Sequence, residues 1–102
     1  MILRILTEAE TEIDSARQYL NSQSPGLGSR FLDELADALA AIGSRPLSFA
    51  KLETLPDDQL YRRALLTTFR YAVVFEMLES EILVVAVAHS SREPNYWLGR
   101  PS

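Results

Sequence analysis

Apolar positions recur along this chain with several spacings, and each change of spacing marks a change of element. Residues 2–6 are an apolar run broken only by Arg4, and Thr7, Glu8, Ala9 and Glu10 follow at once. A short apolar run reads as a strand over Ile2 to Leu6, and the Thr-x-x-Glu pattern is the capping box of a helix that starts at Thr7. Ala9, Ile13, Ala16 and Leu20 then fall at spacings of four, three and four, a single stripe that turns toward a core. Glu12, Asp14, Arg17 and Gln18 point elsewhere on that reading.

The stripe stops near Asn21 to Ser24. In the linker NSQSPGLG, Ser24 is a candidate N-cap and Pro25 suits a first helical position, after which Phe31, Leu35, Leu39 and Ile42 define a second amphipathic helix ended by Gly43 and Pro46. So short a linker makes the two helices an antiparallel hairpin. From about Ser44 to Gln59 the pattern dissolves into a loop with two prolines and the pair Asp57 and Asp58.

Beyond Leu60 the period shortens to two. Tyr71, Val73, Phe75 and Met77 alternate with Arg70, Ala72, Val74 and Glu76, which is a strand over 70–77, and the Val- and Leu-rich run Ile82 to Ala88 is the next. Leu60 to Leu66 is read as a third because it abuts this pair. The order is strand, helix, helix, strand, strand, strand: an α+β domain over residues 1–102, with an N-terminal strand and a helical hairpin packed on a C-terminal antiparallel sheet (β-α-α-β-β-β). If the last hairpin turns at Glu79 and Ser80, Leu78 opposes Glu81 and counting back sets Arg70 opposite His89.

Composition narrows the chemistry. A chain of 102 residues is 47% hydrophobic and 24% charged, as expected of one globular unit, and it has no cysteine and one histidine. Disulfides are excluded, a metal site lacks ligands, and no cofactor is expected. MILRILTEAE is neither a secretory signal nor a membrane span, which points to a cytoplasmic protein that does not meet the membrane. A net charge of −4 argues against a general nucleic-acid binder but leaves room for a local basic patch.

Such a patch is concentrated at the end of the chain. His89 opens the run HSSREPNYWLGR, which holds the single His, the single Trp97 and two of nine arginines, Arg92 and Arg100. With Arg70 delivered by the neighbouring strand, an imidazole, two guanidinium groups and the Tyr96 phenol form a candidate anion site. His89 or Tyr96 would handle a proton while arginines stabilise a phosphate in RNA cleavage by the ribose 2′-hydroxyl. The plainer reading is that His89 ends a strand on a backbone hydrogen bond, Arg92 pairs with Glu93 or Glu76, and Tyr96 and Trp97 cap the core. Arg62 and Arg63, adjacent in a strand, point to opposite faces, one at an edge and the other toward the anion patch. Glu8 and Glu12, one turn apart, read as a solvated helix face rather than a paired-carboxylate site. The Pro-Gly-Leu-Gly segment lacks the Lys and preceding strand of a phosphate-binding loop and is a helix connector.

Three segments carry a family resemblance: ARQYLNSQSPGLGSRFLDEL (16–35), YRRALLTTFRYAVVFE (61–76) and ILVVAVAHSSREPNYWLGR (82–100). In this order they resemble the RelE/ParE superfamily of type II toxin-antitoxin toxins, and most of all its ParE-like, plasmid-stabilisation branch. The resemblance implies a helical hairpin on an antiparallel sheet, and a toxin kept inert by a cognate antitoxin that wraps it as helix and strand. Contact with DNA would come only through that antitoxin. ParE-like members inhibit DNA gyrase by binding, whereas RelE-like members cleave messenger RNA in the ribosome. A third outcome is an inactive relative that retains only antitoxin binding. Of the RelE-like catalytic set, only Arg63, Arg70, His89, Arg92 and Tyr96 occupy matching positions; Arg62, Arg63, Arg70, Trp97 and Arg100 are candidates for target or antitoxin contact. The usual aromatic-Pro-Tyr signature reads Phe69, Arg70, Tyr71 here, and Lys51 is the only lysine. The acidic balance, against the basic surface of a ribosome-bound nuclease, favours the ParE-like expectation.

Overall fold

The computed structural model describes residues 1–56 and 60–100, so the Asp57 and Asp58 pair lies outside the described residues. Strand β1 (Ile2–Ile5) leads directly into helix α1 (Thr7–Gln23), followed by α2 (Leu27–Ser44) and a 3-10 turn at Pro46–Ser48. Strands β2 (Tyr61–Leu65), β3 (Tyr71–Met77) and β4 (Glu81–His89) complete the chain. The sheet order is β1-β4-β3-β2, with the last three strands antiparallel as expected and β1 added parallel to β4.

The Thr7 capping box does not form. Leu6 is the N-cap, with extended backbone and no side-chain cap. The reason lies in the sheet: the Leu6 N–H donates to the Val84 carbonyl at 2.9 Å and its side chain is buried, so β1 is still pinned where the helix begins. The connector is also tighter than its sequence suggests. Ser24 caps the end of α1, its N–H donating to the Leu20 carbonyl, and α2 starts at Leu27 rather than Pro25. Gly43 stays inside α2, which ends at Ser44 just before Pro46.

The core lies between the hairpin and one sheet face. Ala9 and Ala16 of α1 and Phe31, Leu35 and Ile42 of α2 are buried, while Ile13, Leu20 and Leu39 pack around them. Opposite stand Val73, Phe75, Ile82, Val84 and Val87, all nearly inaccessible to solvent. Phe31 meets Phe69 edge-on at 5.8 Å and Tyr71 at 5.1 Å, which ties α2 to the start of β3. Glu34 adds a second tie by accepting the Thr68 N–H at 3.0 Å in the β2–β3 turn.

The β3–β4 hairpin closes where counting placed it, with the Leu78 N–H on the Glu81 carbonyl and Met77 opposite Ile82. The register then slips by one. Phe75 pairs with Val84 but Val74 pairs with Ala86, so Val85 is an extra residue, a β-bulge. Tyr71, not Arg70, therefore faces His89, and Arg70 sits one position outside with its carbonyl accepting the Ser90 N–H at 2.9 Å.

The helices approach closely at Gly28. A Cβ there would stand 2.6 Å from the Arg17 carbonyl and 2.8 Å from Asn21 Oδ1, the atom that accepts the Gly28 N–H. Gly43 has nothing within 4 Å. Gly28→Ala should lower stability by about 1–3 kcal/mol, because the contact is partly backbone and must shift. Gly43→Ala should raise it by about 0.4–1 kcal/mol by restricting the unfolded chain. Urea denaturation of both variants checks the pair of opposite signs.

Candidate functional site

Strand β4 is longer than its parallel neighbour. β1 stops at Ile5, opposite Val84, and leaves the β4 edge from Val85 onward without a strand partner. Unpaired edge groups are costly to bury and open to unwanted pairing. Here side chains close part of that edge. Glu12, from α1, accepts the Val87 N–H on Oε1 at 3.0 Å. The Arg100 Nη1 donates to the Val85 carbonyl at 2.9 Å. The two side chains also grip each other through paired bonds of 3.0 Å each, the fork geometry that suits guanidinium to carboxylate.

Tyr96 completes this knot by donating its hydroxyl to Glu12 Oε2. Burial first, and then that hydrogen bond, push the phenol up to about 12. The Tyr96 ring also carries cations, with the Arg92 guanidinium 3.8 Å from its centroid and that of Arg100 at 5.1 Å. Between them the chain descends in a series of four-residue turns, each closed by an N–H donating to the carbonyl three residues back, and Gly99, at φ +86°, makes the last reversal that brings Arg100 back to β4. Trp97 is buried against Tyr61, ring centroids 4.7 Å apart.

His89 ends β4 with its ring edge-on to Tyr71 at 5.1 Å. The Ser91 N–H donates to Nδ1 at 3.0 Å, and Ser91 Oγ lies 2.8 Å from the same nitrogen. An Nδ1 that accepts places the proton of the neutral ring on Nε2. Nε2 has no partner among the described residues.

Alternation sends Arg62 and Arg63 to opposite faces. Arg62 donates to the Phe49 carbonyl at 2.6 Å beside the core, whereas Arg63 is exposed on the face away from the helices. On that face a cleft of about 570 Å³ runs from Arg63 and Val74 to the strand ends at Arg70 and His89, walled by tail residues 92–97. The structure thus gathers Arg63, Arg70, His89 and Arg92 around one cleft. Arg62 stands outside it, and Arg100 is consumed in the Glu12 knot. Tyr96 and Trp97 show the cleft their flanks while their main contacts hold the tail. Among the described residues, no group of three or more His, Cys, Asp or Glu could hold a metal ion.

Glu12 is the central residue that sequence reasoning placed on a solvated face. Its side chain is 14% exposed and that of Arg100 19%. Arg92 makes no ion pair with Glu93 or Glu76; its contact is the Tyr96 ring.

The fold matches that of a known class of small proteins. The family model for the ParE toxin of type II toxin-antitoxin systems, parDE, matches residues 3–94, and the chain belongs to that family. Among solved structures it is similar to one titled "Chromosomal ParDE TA system from P. aeruginosa". That match has a TM-score of 0.74 at 12% identity, covering 87% of this chain and 95% of the other, and at that identity it speaks to the fold. No curated protein matches. Among the described residues no helix is long and apolar enough to cross a membrane.

Glu12→Ala should cost on the order of 3 kcal/mol, since it strands Arg100 and leaves the Val87 N–H unpaired. The emission of Trp97, the only tryptophan, should shift to the red as the tail loosens. Unchanged emission and stability would show that the tail is held elsewhere. The raised Tyr96 pKa gives stability that is complete below about 10 and lost as pH climbs toward about 12. Tyr96→Phe should remove that contribution and flatten urea-midpoint profiles across this window.

Proposed function

We propose that this protein is a growth-inhibiting toxin that acts in the cytoplasm by binding its target, DNA gyrase, and is neutralised by a cognate antitoxin. Family membership supports the toxin and antitoxin parts of the reading. The observation that favours binding over cleavage is the commitment of Tyr96: its hydroxyl is tied to Glu12 and its pKa stands near 12, so it is poorly placed to exchange a proton near neutral pH. The acidic overall charge points the same way, since a ribosome-bound nuclease needs an extensive basic surface. The antitoxin is then the protein through which the pair would meet DNA.

A second reading keeps one specific support. His89, with Nε2 unpartnered, shares the cleft with Arg70 and Arg92, the set a ribosome-dependent messenger RNA endonuclease would use.

Induction of the chain alone in a bacterial host should arrest growth, trigger the response to DNA damage and leave messages intact. Co-expression with the antitoxin, sought in the adjacent reading frame, should restore growth. Message cleavage that disappears in His89→Ala would establish the second reading instead, and normal growth would identify a relative that retains antitoxin binding alone.

A further inference from the structure

Glu12 and Arg100 close the exposed edge of β4 only in part. The Ser90 N–H donates to the Arg70 carbonyl, so the ladder bonds β3 at residues 86, 88 and 90 and turns the backbone groups of Val87 and His89 outward. Two of those outward groups are satisfied: the Val87 N–H donates to Glu12, and the His89 carbonyl accepts the Arg92 N–H at 3.0 Å. Between them, the Val87 carbonyl and the His89 N–H have no hydrogen-bond partner among the described residues. They stand next to each other along the edge, an acceptor and then a donor. Both residues line a cavity of about 310 Å³ on the α1 side of the sheet, together with Ser15, Ala16, Tyr19 and Arg92. Neither Arg63 nor Arg70 nor any of residues 93–97 takes part in it.

From this arrangement we infer that the cavity binds the C-terminal residue of a peptide by its main chain. The bound residue lies parallel to β4 opposite Ala88. Its N–H donates to the Val87 carbonyl, one carboxylate oxygen accepts the His89 N–H, and the other meets the Arg92 guanidinium. The inference goes beyond the toxin reading and does not depend on which target that reading names. In a parallel ladder one residue bonds, through its N–H and its C=O, to groups two residues apart on its neighbour, and β1 already pairs with β4 in that direction. A longer strand is stopped by Glu12: a residue opposite Val87 would meet the carboxylate seated on the Val87 N–H. Pairing is therefore confined to one residue, and a chain end is the peptide unit that supplies both one N–H and a charge for Arg92. That guanidinium is held over the Tyr96 ring without a carboxylate partner, so it gives up no ion pair when the carboxylate arrives. A phosphate could use Arg92 and the His89 N–H, but it would bring an oxygen against the Val87 carbonyl, acceptor against acceptor. The cavity is at the small end of ligand sites, which begin at about 300 Å³.

The test measures fluorescence anisotropy of the full-length protein with a fluorescein-labelled hexapeptide of glycine and serine that ends in alanine with a free carboxylate. The same peptide with a C-terminal amide, and with its last nitrogen methylated, are the comparisons. The free acid is expected to bind with a dissociation constant on the order of 100 μM. The amide and the methylated form should each bind about tenfold or more weakly, and Arg92→Ala should weaken the free acid by a similar factor. Ser15→Trp, at an exposed position of α1, should fill the cavity and abolish binding. Arg63→Ala and Arg70→Ala, which alter the sheet-face cleft alone, should bind as the parent does. In a nitrogen-15 spectrum the His89 amide should move downfield on titration with the free acid, which reports the one contact that no side-chain substitution removes. Competition with N-acetylalanine identifies the source: equal affinity indicates a free acylated amino acid, and a tighter hexapeptide indicates a protein chain end. Four results overturn the inference: the amide bound as tightly as the acid, unchanged affinity in folded Arg92→Ala, a His89 amide that does not move at saturation, or no binding at about 1 mM peptide.

Discussion

The side chain of Glu12 fills a gap that the topology creates. A four-residue β1 cannot cover a nine-residue β4, and the uncovered part of β4 carries backbone donors and acceptors at the edge of the core. Glu12 and Arg100 supply what a fifth strand would have supplied, one taking the Val87 N–H and the other giving to the Val85 carbonyl. A partly buried ion pair adds little net stability by itself, because desolvation offsets attraction. This one is different in kind, since each partner also satisfies a backbone group that would otherwise stand open. Breaking it costs more than the pair is worth, and α1, β4 and the tail are held by the same four groups.

The β-bulge at Val85 belongs to the same arrangement. By inserting one residue it changes which groups face the edge beyond Val84, and it moves His89 from Arg70 to Tyr71. Arg70 is thereby left at the mouth of the cleft with a free side chain instead of lying across from the imidazole. The bulge and the knot cooperate, with Arg100 bonded to the bulged residue itself and Tyr96 positioned, through Glu12, beneath Arg92. A small change in strand pairing is thus carried outward to the placement of the cleft arginines.

Most of the fold was legible because its elements obey simple periods. The α1 and α2 stripes, the alternation in β3 and the Glu79–Ser80 turn all stand where the residue spacing predicts. The bulge was not legible, and the reason is physical: β4 is central, both its faces are covered, and Leu83, Val84, Val85, Ala86 and Val87 are all apolar. With no polar alternation to interrupt, an extra residue leaves no mark. The role of Glu12 left a fainter one. It lies three residues after Ala9 and four before Ala16, inside the arc of the buried stripe, and a carboxylate flanked by two small buried residues is placed to reach inward. Capping failed as a guide at Thr7 because tertiary pinning of Leu6 overrode it. The candidate site was legible as a set of residue types, but its division into a structural group (Tyr96, Trp97, Arg100) and a cleft group (Arg63, Arg70, His89, Arg92) needed three dimensions.

Charge separation connects that division to recognition. Seven of the fourteen acidic residues sit on α1 and α2, against two arginines there, while the cleft on the other side of the sheet gathers Arg63, Arg70 and Arg92 with one carboxylate, Glu93, among the described residues that line it. The molecule is therefore bipolar, and its net charge describes neither face. An anionic partner approaching at low ionic strength is turned by this field toward the cleft and away from the helices, and the effect fades beyond a Debye length of about 8 Å at physiological salt. The helical face, with its negative charge, offers nothing to the same partner. Orientation on approach and the arginines that meet the partner at contact thus come from one distribution of residues, with the positions of the sheet arginines set by strand alternation and by the knot that fixes the tail.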